Sequence, residues 1–209
     1  SSILDSICVH MVVMGNPDGV EIAQKGIGVI TTTKLRNKLY KMSRNTSTSQ
    51  WKANARGVDI NRNFPYKFKK EGKPCPSYYT GKKAGSESET KAIMKLTKKL
   101  KPTLKGVVNY HAMGNIVFGS CKKGIAIQGT TTAMYNYARS VSGYASAAGY
   151  YSPAGGRGNY REYVMYTEHR PSITIEIGSV ACPLPTSQIK PVWKANKKVI
   201  IGEAELLSR

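Results

Sequence analysis

Strand-like and helix-like segments alternate along the chain, and this predicts an α/β fold with a mostly parallel (mixed) sheet and helices on both faces. Three observations carry that expectation. Two short apolar runs, 104–110 and 172–178, read as strands, and each has one chemically active residue at or near its C-terminal end, His111 and Glu176. A third apolar run, "ICVHMVVM" at 7–14, opens the chain. Between them lie segments with helical spacing of apolar residues.

Taken in order, 7–14 reads as a strand that runs into a turn at 15–19, "GNPDG", rich in turn-forming residues. Residues 31–85 are polar and irregular, with Gly and Pro scattered through them. A loop of that length in a compact domain is functional or disordered. "SESET" at 86–90 has the pattern of a capping box, Ser86 as N-cap and Glu89 reaching back. The helix after it sets Ile93, Leu96 and Leu100 on one face and Lys91, Lys95 and Lys99 on another, and Pro102 stops it. The strand over 104–110 follows, then a helix over 131–149 whose small residues suit close packing, then a Gly-rich loop over 152–163. The strand at 172–178 and a closing helix over 186–208 complete the chain.

The 209 residues suit one domain with a real core, 1–209. No apolar run reaches membrane-spanning length, and no signal peptide is visible. The chain opens inside an apolar run, from which the expectation is that residues are missing upstream. Net charge is +20, from 32 Lys and Arg against 12 Asp and Glu, and twelve Lys fall between 67 and 105. Such a field attracts polyanions: nucleic acid, anionic lipid or an acidic cell wall. The four cysteines, Cys8, Cys75, Cys121 and Cys182, form no CxxC pair, which argues against a zinc knuckle or redox motif and leaves two disulfides or four thiols open.

The densest polar stretch is "WKANARGVDINRNF" at 51–64, with Lys52, Arg56, Asp59, Arg62 and three Asn. It has no apolar stripe, so it is either a solvated loop or a surface that grips something anionic. His111 lies at a strand exit, where α/β folds place ligands. Glu176 interrupts Ile173, Ile175 and Ile177 on the opposite face of its strand. A carboxylate there is costly unless paired or functional; a general base and an ion pair with one of the many cations are the two readings.

"GNPDGVE" (15–21), "WKANARGVDINRNF" (51–64), "SESET" (86–90), "NYHAMGN" (109–115), "REY" (161–163) and "TIEIG" (174–178) occur in the order found in the zinc carboxypeptidase family. Over essentially the whole chain the sequence resembles that family, most of all its bacterial γ-D-glutamyl-L-diamino acid (murein) peptidase branch. The resemblance implies that His111 is a zinc ligand. It implies that Glu176 is the general base, which activates the water and passes its proton to the leaving amine. Asn61 and Arg62 would grip the substrate's terminal carboxylate, the Arg by a bidentate fork. Asp59 would orient a zinc-ligating His. Lys52 stands where relatives carry an oxyanion-stabilising Arg, with Arg56 as the alternative. Tyr151 matches the mobile tyrosine that closes over substrate, with Tyr150 beside it. Arg161 falls where the family sets side-chain preference, and there it would select a negative group such as the distal carboxylate of meso-diaminopimelate.

One departure stands out. The other two zinc ligands of the family come from an HxxE motif ahead of "NPDG", and this chain contains no HxxE; His10 and His169 do not fit it. They are expected upstream of Ser1, on a missing N-terminal segment or a complementary chain. The implied function is hydrolysis of peptidoglycan stem peptides at the γ-D-Glu–meso-diaminopimelate bond, with one zinc ion and a bacterial, secreted or wall-associated location beside a polyanionic wall. The alternative is a catalytically inactive wall-binding homologue lacking zinc. Nucleic-acid binding rests on charge alone, without stacked aromatics or a recognition helix.

Overall fold

A computed structural model describes residues 3–44, 47–148 and 157–209. The chain divides into two compact units, one of Val12–Lys99 with Ala154–Tyr163, the other of Ser1–Met11, Leu100–Pro153 and Val164–Arg209.

The first unit is built from helices and long turns. Helix α1 (Pro17–Lys25) starts inside what reads as a turn by sequence. Asn16 caps it by accepting from the Gly19 N–H at 3.1 Å, and Pro17 supplies a preset φ in the first helical turn. Helix α2 (Thr33–Ser43) occupies part of the stretch expected to be irregular. Its Leu39 and Met42 pack with Ile22, Ile27, Trp51 and Ala53 into a small apolar core. Leu35 packs against the same core, and Leu35, Leu39 and Met42 recur at i, i+4 and i+7, the spacing of a buried helical stripe, so the helix was legible in the sequence. Helix α3 (Ser88–Leu100) forms where expected and ends ahead of Pro102. The capping box at its start does not form. Ser86 instead donates to Glu87 at 2.6 Å, and Glu89 accepts from Asn54 at 3.2 Å.

The second unit holds the sheet. Strand β1 (Val107–Ala112) pairs in parallel with β4 (Ser172–Ile177); β2 (Ile116–Phe118) runs antiparallel to β4 and parallel to β3 (Ala145–Ser146). The order is β1-β4-β2-β3, a mixed sheet as expected. Helix α4 (Gln128–Ser142) ends at Gly143, whose φ of 72° permits the left-handed turn that returns the chain to β3. Helix α5 (Tyr160–Tyr166), at the end of the expected Gly-rich loop, begins in the first unit and only its last three residues belong to the second. The closing helix is two helices, α6 (Ile189–Asn196) and α7 (Val199–Ser208). Ile173, Ile175 and Val117 pack with Met134, Ala138, Tyr144 and Val199 in the core, so the odd-numbered face of β4 is the apolar one.

The run at 7–14 forms no strand. Val13 and Met11 are 86% and 74% exposed. An apolar run makes a strand only when a neighbour takes up its backbone hydrogen bonds, and among the described residues this run has no paired neighbour. All four cysteines are free thiols. Among the described residues no helix is long and apolar enough to cross a membrane.

Candidate active site

In the sheet unit, His111 and Glu176 are direct partners in the β1–β4 register. Register partners on parallel strands point to the same face. Since Ile173, Ile175 and Ile177 pack on the apolar core face, Glu176 and His111 share the other one. Both are half-buried and lie at the C-terminal ends of their strands. Period-2 alternation thus delivers an imidazole and a carboxylate side by side, one on each of two adjacent strands.

In the other unit, the stretch 51–64 folds as a polar turn system held from within. Asp59 caps a short 3₁₀ turn, Ile60–Arg62, by accepting from the Asn61 N–H at 3.1 Å. Its second oxygen accepts from the Tyr78 N–H at 3.2 Å. Asn61 Oδ1 accepts from the Tyr160 N–H at 3.0 Å, tying the turn to the start of α5 and leaving its amide hydrogens as donors. Gly158 lies against the Arg62 carbonyl so closely that a Cβ there would fall 2.2 Å from it, and its φ is +63°. Only Gly fits both demands.

Arg62 donates through Nη1 to the Asn61 carbonyl at 2.8 Å, and its Nε is buried with no acceptor among the described residues. Its guanidinium carbon lies 5.7 Å from the centre of the Tyr78 ring, and Lys52 Nζ lies 5.9 Å from the same ring. Tyr78 therefore sits within cation–π reach of two expected site cations. Lys52 is exposed; Arg56 is exposed too, but its Nε contacts the buried Glu87 carboxylate at 3.2 Å. Arg161 is carried by α5 rather than by a loop, with its side chain only 10% exposed and Nη2 3.8 Å from Glu162. Tyr151 and Tyr150 lie outside the described residues.

Sequence reasoning missed the polar cluster behind this surface. Glu87 is 1% exposed, accepts from Asn54 Nδ2 at 2.9 Å and Ser86 Oγ at 2.6 Å, and meets Arg56. Asn63 donates to the Thr80 and Lys83 carbonyls and accepts from the Glu87 N–H. The density of Asn in 51–64 was the available signal, although the partners, 17 to 35 positions away, were not legible. Among the described residues, no three His, Cys, Asp or Glu gather into a group that holds a metal. His111 alone does not make a three-ligand zinc site.

The profile of the zinc carboxypeptidase family matches residues 1–199, and the chain belongs to that family. Among its curated relatives is γ-D-glutamyl-L-diamino acid endopeptidase 1 of Lysinibacillus sphaericus, 30% identical over 89% of this chain and 46% of that protein. Murein peptide amidase A of Escherichia coli K12 is 39% identical over a shorter stretch, 29% of this chain and 28% of its own length. The fold is shared with bovine thrombin-activatable fibrinolysis inhibitor, with a TM-score of 0.60 at 16% identity, covering 72% of this chain and 56% of that one. The chain spans about half the length of the first curated relatives it matches.

Proposed function

We propose that residues 1–209 act as a single catalytic domain of a peptidase that hydrolyses peptidoglycan stem peptides, at the bond between γ-D-Glu and meso-diaminopimelate. The observation that carries the reading is the in-register pair His111–Glu176 at the strand ends, in a family whose bacterial relatives include a γ-D-glutamyl-L-diamino acid endopeptidase and a murein peptide amidase. Glu176 takes a proton from the attacking water and delivers it to the leaving amine nitrogen. Arg62 and the Asn61 amide hold the substrate's terminal carboxylate. The buried Arg62 Nε with no acceptor supports this, because a buried donor is costly until a ligand accepts from it. Lys52, or Arg56 once released from Glu87, balances the developing oxyanion. Asp59 works from behind, by setting the Asn61–Arg62 turn.

The family implies one zinc ion, which supplies an activated water when bound; His111 is the candidate ligand here, and its further ligands would come from outside the described residues. A net charge of +20 suits a polyanionic bacterial wall, reached by secretion, as the place of action. The test is Glu176→Gln in the full-length protein, assayed on L-Ala-γ-D-Glu-meso-diaminopimelate. Substrate binding should persist while turnover falls roughly 10²–10⁴-fold, since the amide does not accept the proton. Unchanged turnover would remove Glu176 from the chemistry.

A further inference from the structure

The sheet unit contains a cavity of about 200 Å³, well below the roughly 300–1,000 Å³ of sites for drug-sized ligands. It opens at the end of the sheet where β1 and β4 finish and β2 and β3 begin. Asn115, from the β1–β2 turn, and Tyr144, just ahead of β3, form one side; Gln188 and the α6 residues Pro191, Val192 and Ala195 form the other. The polar atoms are unevenly satisfied. Asn115 Oδ1 is buried with no donor among the described residues. Gln188 uses its Oε1 to accept from the Ser179 N–H and Oγ, at 3.3 and 3.2 Å, and its amide hydrogens have no acceptor there. Tyr144 accepts from Asn196 Nδ2 at 2.9 Å, which leaves its own hydroxyl proton to donate. None of the lining residues is charged.

We propose that this cavity binds a neutral secondary amide of the N-acyl type. The ligand N–H donates to Asn115 Oδ1, its carbonyl accepts from Gln188 Nε2 or the Tyr144 hydroxyl, and its acyl methyl packs on Pro191, Val192 and Ala195. One acceptor, two donors and an apolar wall match that group in polarity. A carboxylate finds no cation here, and an ammonium finds no anion. The inference rests on the lining of the cavity and is independent of the peptidase reading. An N-acyl amide could come from an acetamido sugar or from a peptide.

The experiment is a side-chain amide NMR titration of the full-length protein with N-acetylglucosamine, with N-acetyl-D-alanine N-methylamide, and with glucose as the amide-free sugar. The expected result is saturable shifts of the Asn115 and Gln188 side-chain resonances with an N-acyl compound and none with glucose. A response to the sugar alone assigns an acetamido sugar as the source; a response to the peptide alone assigns a peptide. Asn115→Gly suits the backbone, since Asn115 has a φ of 50°, and should weaken binding about two- to tenfold, the loss of one hydrogen bond. Ala195→Leu fills the cavity and should abolish binding. Equal shifts with glucose, no saturable shift with either amide, or affinity unchanged in whichever variants stay folded by circular dichroism would overturn the proposal and leave a water-filled cavity.

Discussion

Two buried glutamates, one from each compact unit, are treated in opposite ways; the sheet unit's other buried glutamate, Glu168, is paired with Lys101 at 3.0 Å. Glu87, in the turn-rich unit, is 1% exposed and accepts from Asn54 and Ser86 while Arg56 lies against it. Glu203, on α7 in the sheet unit, is 3% exposed, and neither carboxylate oxygen has a hydrogen-bond partner among the described residues. A buried carboxylate with donors stays compatible with its charge; one without them holds its proton, and burial pushes Glu203 up to about 8. The contrast follows from what surrounds each. The turn unit has little sheet to satisfy its backbone, so polar side chains converge there. The sheet unit packs α4, α6 and α7 on apolar strand faces, where donors are scarce.

The largest test of this contrast is the pH dependence of stability. The Glu203 carboxyl ionises near 4.5 when unfolded and near 8 when folded. Both states are therefore protonated below about pH 4.5 and no ionisation penalty applies there, and the protein loses stability as pH rises from there through about 8. Each unit of difference is worth about 1.4 kcal/mol, so the full loss is roughly 5 kcal/mol. Urea unfolding at a series of pH values should show this decline, and Glu203→Gln should flatten it. A variant with the same slope as the parent would mean that Glu203 has a donor after all.

Next in size is Glu87→Ala. Removing the acceptor takes one hydrogen bond each from Asn54 and Ser86, which keep Glu89 and Asn63 as partners, and releases Arg56, at a cost of about 3 kcal/mol, the low end for a broken buried pair because Arg56 is itself exposed. A shift in the denaturant midpoint with unchanged m measures it. A near-neutral result would make the cluster incidental to the turn unit's stability.

Arg161 is a third buried charge, its side chain 10% exposed and paired with Glu162 at 3.8 Å. Its replacement by Leu should lower kcat/KM about tenfold to a hundredfold on stem peptides ending in meso-diaminopimelate, the worth of one charge-assisted hydrogen bond. The loss should largely vanish for substrates ending in Lys, because Arg matches a second carboxylate by its planar fork. Equal losses on the two substrates would remove Arg161 as the selector.

The smallest effect is spectroscopic. The Tyr110 hydroxyl is pushed up to about 12, first by burial and then by the charge of Glu203. Glu203→Gln removes the second cause only. Ultraviolet titration should therefore find Tyr110 ionising below about 12 and still above the ordinary 10. No change on substitution would place the Glu203 charge too far away to matter.

Much of the architecture was legible locally. The alternation of Ile173, Ile175 and Ile177 gives β4 and places Glu176 on the other face, and the spacing of Ile93, Leu96 and Leu100 gives α3. Order and identity of motifs gave the family and the candidate residues His111, Glu176, Asn61, Arg62 and Arg161. Those signals lie within one turn or one strand, where period and side-chain type are the whole physics. What required the folded chain is whatever depends on a distant partner. The run at 7–14 is apolar but has no neighbour to pair with among the described residues, and residues 8–14 are exposed. Ser86 fits a capping box in spacing, yet its oxygen accepts from Asn63 Nδ2 at 3.1 Å while its proton goes to Glu87. The register that sets His111 opposite Glu176, 65 positions apart in sequence, and the donors that make Glu87 welcome and Glu203 not, come from long-range closure. Hydrogen bonding demands a partner in space, and only packing says which one arrives.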